Sequence, residues 1–496
     1  MARTDTLNNF LTDVADSIRT KKGTTDSIPA SNFDTEIESI EAGGGEPNLQ
    51  SKSITITENV TQNVTADEGY DGLSDVSVTT NVQSSDVPEV FSKTGANLSN
   101  NNYGNTSLIF WIKELPRAII KQISDVIRYT YPIYLFSGMR YYNGILDLRD
   151  FDTNHTTCDS FRYMFSYLSY DVTKNNNTQI IFPENFGPYN GNLSYTFDHI
   201  RLNSLDLTNM ATNNVSNMQY MFNNSTIQNL NLSNFKILRN VDMESMFQYF
   251  TTNVLDISSF DSSKIISIYN MFRYAYINQI ILPENFGSNC KNMAYLFGNT
   301  SISNGVLDLT KLNTSNATSF QYMFSLINYN CENGITLNLS SFDTAKVTNM
   351  SYMFVGNSST TNSMKIDNII FPENFGINCN NMSYMFQYFN YGYQNGLNHL
   401  DLSNFNTDKL VYASNMFYNS RFLASIDLSS FNFTKVTYFS SMFASCGTSC
   451  LASDGAYADG IPYIYVKDET AQNWILTKSN GKPKTWSTAN VIIKEV

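Results

Sequence analysis

The stretch Leu337-Asn338-Leu339-Ser340-Ser341-Phe342-Asp343-Thr344-Ala345-Lys346-Val347-Thr348-Asn349-Met350-Ser351-Tyr352-Met353-Phe354 carries two hydrophobic periodicities in succession. Leu337 and Leu339 alternate with Asn338, as in a short strand, while Val347, Met350, Met353 and Phe354 recur at three- and four-residue spacing, as on one face of a short helix. Ser340 to Thr344 between them supplies turn chemistry and, in Phe342, one ring to bury. The unit therefore reads strand, turn, short helix, loop.

The same phrase recurs through most of the chain. A pair ending in Phe, usually Met-Phe, closes units at Phe165, Phe197, Phe222, Phe247, Phe272, Phe297, Phe324, Phe354, Phe386, Phe417 and Phe443, with Phe136 as a degenerate first member. Ile180, Leu205, Leu230, Leu255, Ile280, Leu307, Leu337, Ile369, Leu400 and Ile426 each stand 17 positions before their closing Phe. Length variation falls between one closing Phe and the next opening residue, where the offset runs from 8 after Phe222 to 15 after Phe354. A unit this small cannot bury its apolar faces alone, whereas stacked neighbours share a continuous core and a parallel strand ladder. The expected class is α/β: a leucine-rich-repeat-like solenoid with a short strand and a short helix per coil, carried on a small N-terminal helical and β attachment region.

Two features invite a catalytic reading. Asp147, Asp206, Asn231, Asp256, Asp308, Asn338, Asp401 and Asp427 would stack in one outward column, which could be a calcium or catalytic row or simply a solvated strand face; the second is the commoner fate of Asp. Pro183 to Gly187, Pro283 to Gly287 and Pro372 to Gly376 repeat a Pro-Glu-Asn-Phe-Gly phrase in place of Leu-Asp-Leu-Ser-Xaa-Phe. Glu184, Glu284 and Glu373 lie on coils that are not neighbours, whereas glycosidase chemistry needs two carboxylates within several ångströms. No enzyme, no cofactor and no metal site is expected.

Composition narrows the classes further. The 496 residues exceed a single ordinary core, the 15% charged fraction is low, and the net charge of −13 without a Lys/Arg cluster excludes a nucleic-acid footprint. Met1 to Arg19 lacks the continuous apolar run of a signal peptide, and no stretch is apolar and long enough to span a bilayer. Cys158, Cys290, Cys331, Cys379, Cys446 and Cys450 are too sparse for a disulfide framework, and His155, His199 and His399 are too scattered to complete a zinc site. For Cys446 and Cys450, buried thiols and a local disulfide both stay open.

The phrase Leu337 to Phe354, and Leu400 to Phe417 likewise, resembles the BspA-type leucine-rich repeat of bacterial surface proteins over roughly Leu146 to Phe443. That resemblance implies adhesion or recognition and brings no catalytic residues with it. Leu7 to Gly23 with Ile28 to Phe33, and the segment from Ile54 to Gly72, resemble N-terminal segments of tail and fibre proteins from phages of Gram-positive bacteria. The expected organisation is a helical attachment or oligomerisation segment over 1–42, in which Leu7, Leu11, Val14 and Ile18 share one face. A linker over 43–49 leads to a small β module over 50–82, with strands at Ser53 to Thr57 and Ser74 to Thr80 and a turn at Asp67 to Gly72. A second linker over 83–105 precedes a cap with the degenerate first coil over 106–145, the repeats over 146–445 and a C-terminal cap over 446–496.

Together these imply a phage fibre or receptor-binding appendage, located in the virion after assembly in the host cytoplasm. Its N-terminus would dock on other virion proteins and its solenoid on a host surface glycan or protein, without nucleic acid or membrane insertion. A homo-oligomer is expected, a trimer being one arrangement that suits a fibre; a capsid-attached head fibre and a bacterial surface adhesin are the alternatives. The loops after the closing Phe hold the candidate surface-binding residues Tyr167, Tyr170, Tyr274, Tyr276, Tyr388, Phe389, Tyr391 and Tyr393, whose rings either bind a partner or only cover the coil edge.

Overall fold

The computed structural model describes residues 49–56, 72–80, 135–138, 144–153, 160–168, 178–188, 191–393, 396–447, 462–478 and 486–494. The chain divides into two units, Met1–Thr106 and Ser107–Val496. The helical segment expected over 1–42 and the linker expected over 83–105 lie outside the described residues. In the first unit, β1 (Leu49–Ile56) pairs in parallel with β2 (Gly72–Thr80), the register shifting between Gln50 and Ser51. The turn expected at Asp67 to Gly72 lies, Gly72 apart, outside the described residues.

The second unit is built from short strands that pair in parallel with their counterparts in neighbouring repeats. The ladder begins with β3 (Ile145–Asp147) and β4 (Gln179–Ile181). It continues with β5 (Arg201–Asp206) and β6 (Thr226–Asn231), then, beyond the short β7 (Val241–Asp242), with β8 (Thr251–Asp256). After β9 (Ile265–Ser267), β10 (Tyr276–Ile281) and β11 (Ser301–Ile302) complete a five-stranded parallel sheet of order β5-β6-β8-β10-β11. Further along, β12 (Ile335–Asn338) pairs with β13 (Ile366–Ile370). The ladder ends in the order β14 (His399–Asp401), β15 (Ser425–Leu428), β16 (Tyr463–Val466) and β17 (Val491–Ile493). A second parallel ladder, carried mostly by single bridges, runs Ser160–Asn192–Asn217–Asp242 and again Asn292–Ser319–Asn349–Asn381–Tyr412–Tyr438, with β7 pairing β9 between the two runs.

The core is a column of phenylalanines. The closing rings from Phe136 through Phe443 lie face to face, each on the next, at centroid separations of 5.3–6.0 Å and interplanar angles of 1–14°. All are buried, Phe136 included. Offset-stacked pairs of this kind contribute ~0.5–1.5 kcal/mol each beyond the area they remove from water. At its end the column meets Trp486, 5.3 Å from Phe443. There α1 (Glu469–Lys478) lays Trp474 on Phe433 at 4.5 Å and 15°, covering the last repeat.

The short helix expected in each repeat is absent; among the described residues α1 is the only α-helix. Val347, Met350, Met353 and Phe354 do point inward and are fully buried, but the backbone between them is a chain of turns. The N–H groups of Met350, Tyr352, Phe354 and Gly356 donate to Asn381, Ser383, Met385 and Gln387 of the next repeat, while those of Met353 and Val355 donate to the carbonyl three residues back. An α-helix would spend the N–H groups beyond its first turn inside its own segment; here every second one joins two repeats. This alternation requires a left-handed residue two positions before the closing Phe, and φ there is 56–62° in every repeat from Tyr163 to Ser441. A bulky side chain at such a φ is uncommon, and its recurrence identifies the turn as a constraint of the architecture.

The Pro-Glu-Asn-Phe-Gly repeats keep this core by a one-residue adjustment. Phe186, Phe286 and Phe375 bridge to Met210, Leu312 and Phe405, so their rings fill the place of the Leu-Asp-Leu-Ser-Xaa-Phe ring although one more residue precedes them. Asn185, Asn285 and Asn374 absorb the extra residue at φ 55–57°. Gly287 and Gly376 follow at φ 84° and 83°, where an added Cβ would approach Met293 and Met382 to 2.9 and 2.6 Å.

The left-handed turn can be tested against its own variants. Tyr322→Val and Tyr322→Asn both remove the ring, but Val is β-branched whereas Asn fills the same place at 270 and 415. Urea denaturation should find the Val variant less stable than the Asn variant by ~1–2 kcal/mol. Equal stabilities would mean that the turn does not constrain the residue.

Candidate functional site

The outward Asp/Asn column resolves into turn chemistry. Oδ1 of Asp147, Asp206, Asn231, Asp256, Asp308, Asn338, Asp401 and Asp427 accepts the backbone N–H two residues on, at 2.9–3.2 Å. A second set does the same at another corner of the repeat, through Asn192, Asn217, Asp242, Asn292, Asn349 and Asn381. Most of the column is exposed or partly exposed, but Asp147 is buried with Arg149 forked onto its carboxylate. The Thr310 hydroxyl and N–H hold the Asp308 carboxyl below the usual carboxylate range. Glu184, Glu284 and Glu373 are exposed on separate repeats, and Glu284 pairs with Lys311 at 2.9 Å. No group of three or more His, Cys, Asp or Glu side chains placed to hold a metal occurs among the described residues, and no helix among them is long and apolar enough to cross a membrane. Cys290, Cys331, Cys379 and Cys446 are buried, while Cys158 and Cys450 lie outside the described residues.

The left-handed position two before the closing Phe carries tyrosine in seven repeats, and these rings form an outer ladder. Tyr163, Tyr195 and Tyr220 stack at 4.6 and 4.7 Å, and Tyr295, Tyr322, Tyr352 and Tyr384 stack at 4.4 Å throughout. Ser245 and Asn270 interrupt the row; after them the Arg273 guanidinium lies 4.1 Å from the centre of Tyr295 in place of another ring. Burial pushes the Tyr195 phenol up to about 12, with Tyr163 and Tyr220 adding to the shift; burial likewise raises Tyr322. Rings stacked face to face leave little ring surface to offer a ligand, so this row clamps repeats together. The recurrence of Tyr two places before Phe is the mark this row leaves in the sequence, at a position that hydrophobic periodicity does not register.

The candidate surface residues fare differently. Tyr167 is exposed but stacks on His199 at 4.4 Å, and Tyr274 stacks on Tyr249 at 4.5 Å beneath Arg273, so both rings are occupied within the fold. Tyr276 is exposed on β10 rather than on a loop. Tyr170 lies outside the described residues. Phe389 is a correction: it is fully buried against Phe386 at 5.6 Å, because the residue three after the closing Phe turns into the core.

Tyr388 and Tyr391 sit in a different arrangement. Tyr388 meets Tyr391 and Tyr418 edge to face, both at 5.7 Å, and Tyr391 meets Phe422 at 6.3 Å with Arg421 over its ring at 5.4 Å. Tyr393 donates its hydroxyl to Asp367 at 2.7 Å, and burial together with that carboxylate pushes its phenol up to about 12. Gly392 at φ 84° lets this loop pass against Thr360, where a Cβ would come within 2.6 Å. T-shaped packing fixes the rings while leaving more ring face uncovered than parallel stacking does. The result is a half-exposed aromatic cluster with one cation, built from two adjacent repeat edges.

A family profile described as Mycoplasma protein of unknown function, DUF285, matches residues 191–304, 286–390 and 328–452, together more than half of the chain. No curated protein and no solved structure matches it.

Two outcomes follow from the polar geometry. Asp256→Asn keeps the acceptor for Ser258 and should leave stability within about 0.5 kcal/mol, whereas Asp256→Ala should cost ~1 kcal/mol in thermal denaturation; equal losses would remove the turn role. For Tyr195 the folded value lies above the ordinary 10, so its contribution is complete below pH 10 and is lost as pH rises through about 12. The melting temperature should therefore fall across that window, and Tyr195→Phe should blunt the fall.

Proposed function

The chain belongs to the DUF285 family, a repeat family related to BspA-like repeat proteins, and on that premise we propose that it is a non-catalytic recognition protein. Its repeats form a leucine-rich-repeat-like solenoid whose edge loops bind a cell surface. The single observation that carries this reading is the T-shaped cluster of Tyr388, Tyr391, Tyr418 and Phe422 with Arg421: rigid rings with apolar faces, three of them tipped by a hydroxyl, of the kind enriched where proteins meet sugars or proteins. The absence of catalysis is supported by the use of the column carboxylates as turn acceptors and by the separation of Glu184, Glu284 and Glu373.

In its finer form the proposal is a phage fibre or receptor-binding appendage in the virion. Its N-terminal region, similar to tail and fibre segments, would dock on other virion proteins, and an oligomer would present several solenoids to the host surface. The family description, which names Mycoplasma, favours a second reading as a bacterial surface adhesin. Immunogold labelling of purified particles and of producing cells, with antibody against residues 191–452, separates the two. Label on particles supports the appendage, at the tail or at the head; label confined to the cell surface supports the adhesin.

The recognition reading itself is tested by binding of the fluorescently labelled full chain to cells of the producing strain. Alanine at Tyr388, Tyr391 and Tyr393 together should weaken binding about tenfold or more while the melting curve stays in place. Unchanged binding with unchanged melting would sink the edge cluster as the recognition surface.

A further inference from the structure

The outward strand face is not uniform along the ladder. At most steps the column alternates acid with amide or with Ile: Asp147 pairs with Ile181, Asp206 with Asn231, and Asn338 with Ile370. Only at the pair β14–β15, among the described residues, do two aspartates stand side by side, Asp401 beside Asp427. The next register position is Tyr465 on β16, and Lys494 follows β17 to reach back to the Asp427 carboxylate. His399 and Ser425 form the row above, with Nδ1 and Oγ 2.8 Å apart. These side chains, with Leu400, enclose a cleft of ≈ 270 Å³.

The inventory of unused hydrogen-bonding groups indicates what the cleft can hold. Each oxygen of Asp427 already has a donor, Oδ1 the Ser429 N–H and Oδ2 the Lys494 ammonium. Asp401 spends Oδ1 on Ser403, which leaves Oδ2 without a protein donor among the described residues. Lys494 keeps N–H groups beyond the one given to Asp427, and the Tyr465 phenol and the far nitrogen of His399 add a wall of further polar tips. An anion would face two carboxylates against one ammonium, and a metal ion would find no set of three ligands. The chemistry left over is that of a neutral diol, one hydroxyl of which would donate to Asp401 Oδ2 and its neighbour accept from Lys494, with the ring carbons toward Tyr465.

We propose that the cleft formed by His399, Asp401, Ser425, Asp427, Tyr465 and Lys494 is a saccharide-binding subsite on the strand face. It gives the recognition reading a ligand class and rests on that reading, but it lies on the strands rather than on the loop edge of the aromatic cluster, so each site can fail alone. The architecture supplies a clean variant. Asn231 and Asn338 perform the same turn with an amide, so Asp401→Asn keeps the Ser403 contact and removes only the carboxylate.

The test is saturation-transfer NMR on the full-length chain with the methyl glycosides of glucose, galactose, rhamnose and N-acetylglucosamine. At least one should receive saturation from the unaltered protein. Asp401→Asn should weaken its apparent affinity about tenfold, the effect of one hydrogen bond to a charged group, and Lys494→Met should do the same. Transfer to none of the four, an affinity unmoved by Asp401→Asn, or a loss produced by Tyr391→Ala instead would each overturn the subsite. Glycoside binding at the cleft with no binding of whole cells would retire the recognition reading and leave the subsite standing.

Discussion

One phenylalanine per repeat, laid flat on the next, fixes the rise of the whole array. Face-to-face rings cannot slide far without opening voids in a close-packed interior, so the column holds neighbouring repeats at one separation. Hydrogen bonds from every second N–H then fix the register within that separation. From Ile180 onward, the constant offset of 17 positions between opening residue and closing Phe is the sequence trace of these two demands. Over the same span, variation falls in the stretch between the closing Phe and the next opening residue. The Pro-Glu-Asn-Phe-Gly repeats show how firmly the demand is met: a residue gained before the ring is absorbed by a left-handed Asn and lost again before the closing Phe.

The core was legible because burial leaves a direct mark on residue type. Leu337, Leu339, Phe342, Val347, Met350, Met353 and Phe354 are all buried, as their spacing requires. The conformation linking them was not legible, because inward residues at i, i+3 and i+4 arise equally from a helix and from turns that return to the core every third residue. What separates the two is the destination of the intervening N–H groups, and no side chain reports it directly. The tyrosines two places before each Phe were a partial report, since seven rings at one position imply a stack. Phe389 shows the opposite error: an aromatic in a loop sequence was read as surface, yet the turn after Phe386 directs it inward.

The polar composition also finds its cause in the repeat. Each corner needs an acceptor for a backbone N–H that the ladder leaves unserved, and Asp, Asn and Ser supply it from two residues back. Buried threonines do related work between repeats, as when Thr212 and Thr407 accept N–H groups of Lys236 and Asn432. A chain that meets its backbone needs with the short side chains of Asp, Asn, Ser and Thr has little use for Lys and Glu, in keeping with the 15% charged fraction. The edge is then free to carry rings, and the two aromatic arrangements there divide by geometry: parallel stacks join repeats, and the tilted group at Tyr388 and Tyr391 leaves ring face uncovered.

The covering of the last repeat by Trp474, Trp486, β16 and β17 has a consequence beyond burial. Because the repeats are alike, the top of any one is shaped to receive the bottom of any other, including that of a second molecule. A chain cut after Phe443 would expose a flat ring and an open parallel strand edge, which is a template for head-to-tail growth into filaments that never close. The helix and the two tryptophans break that likeness, since they present no phenylalanine column and no left-handed turn to the next comer. An end unlike the repeats would oppose such growth, because a closed surface offers an incoming repeat neither a ring to stack on nor a strand edge to pair with.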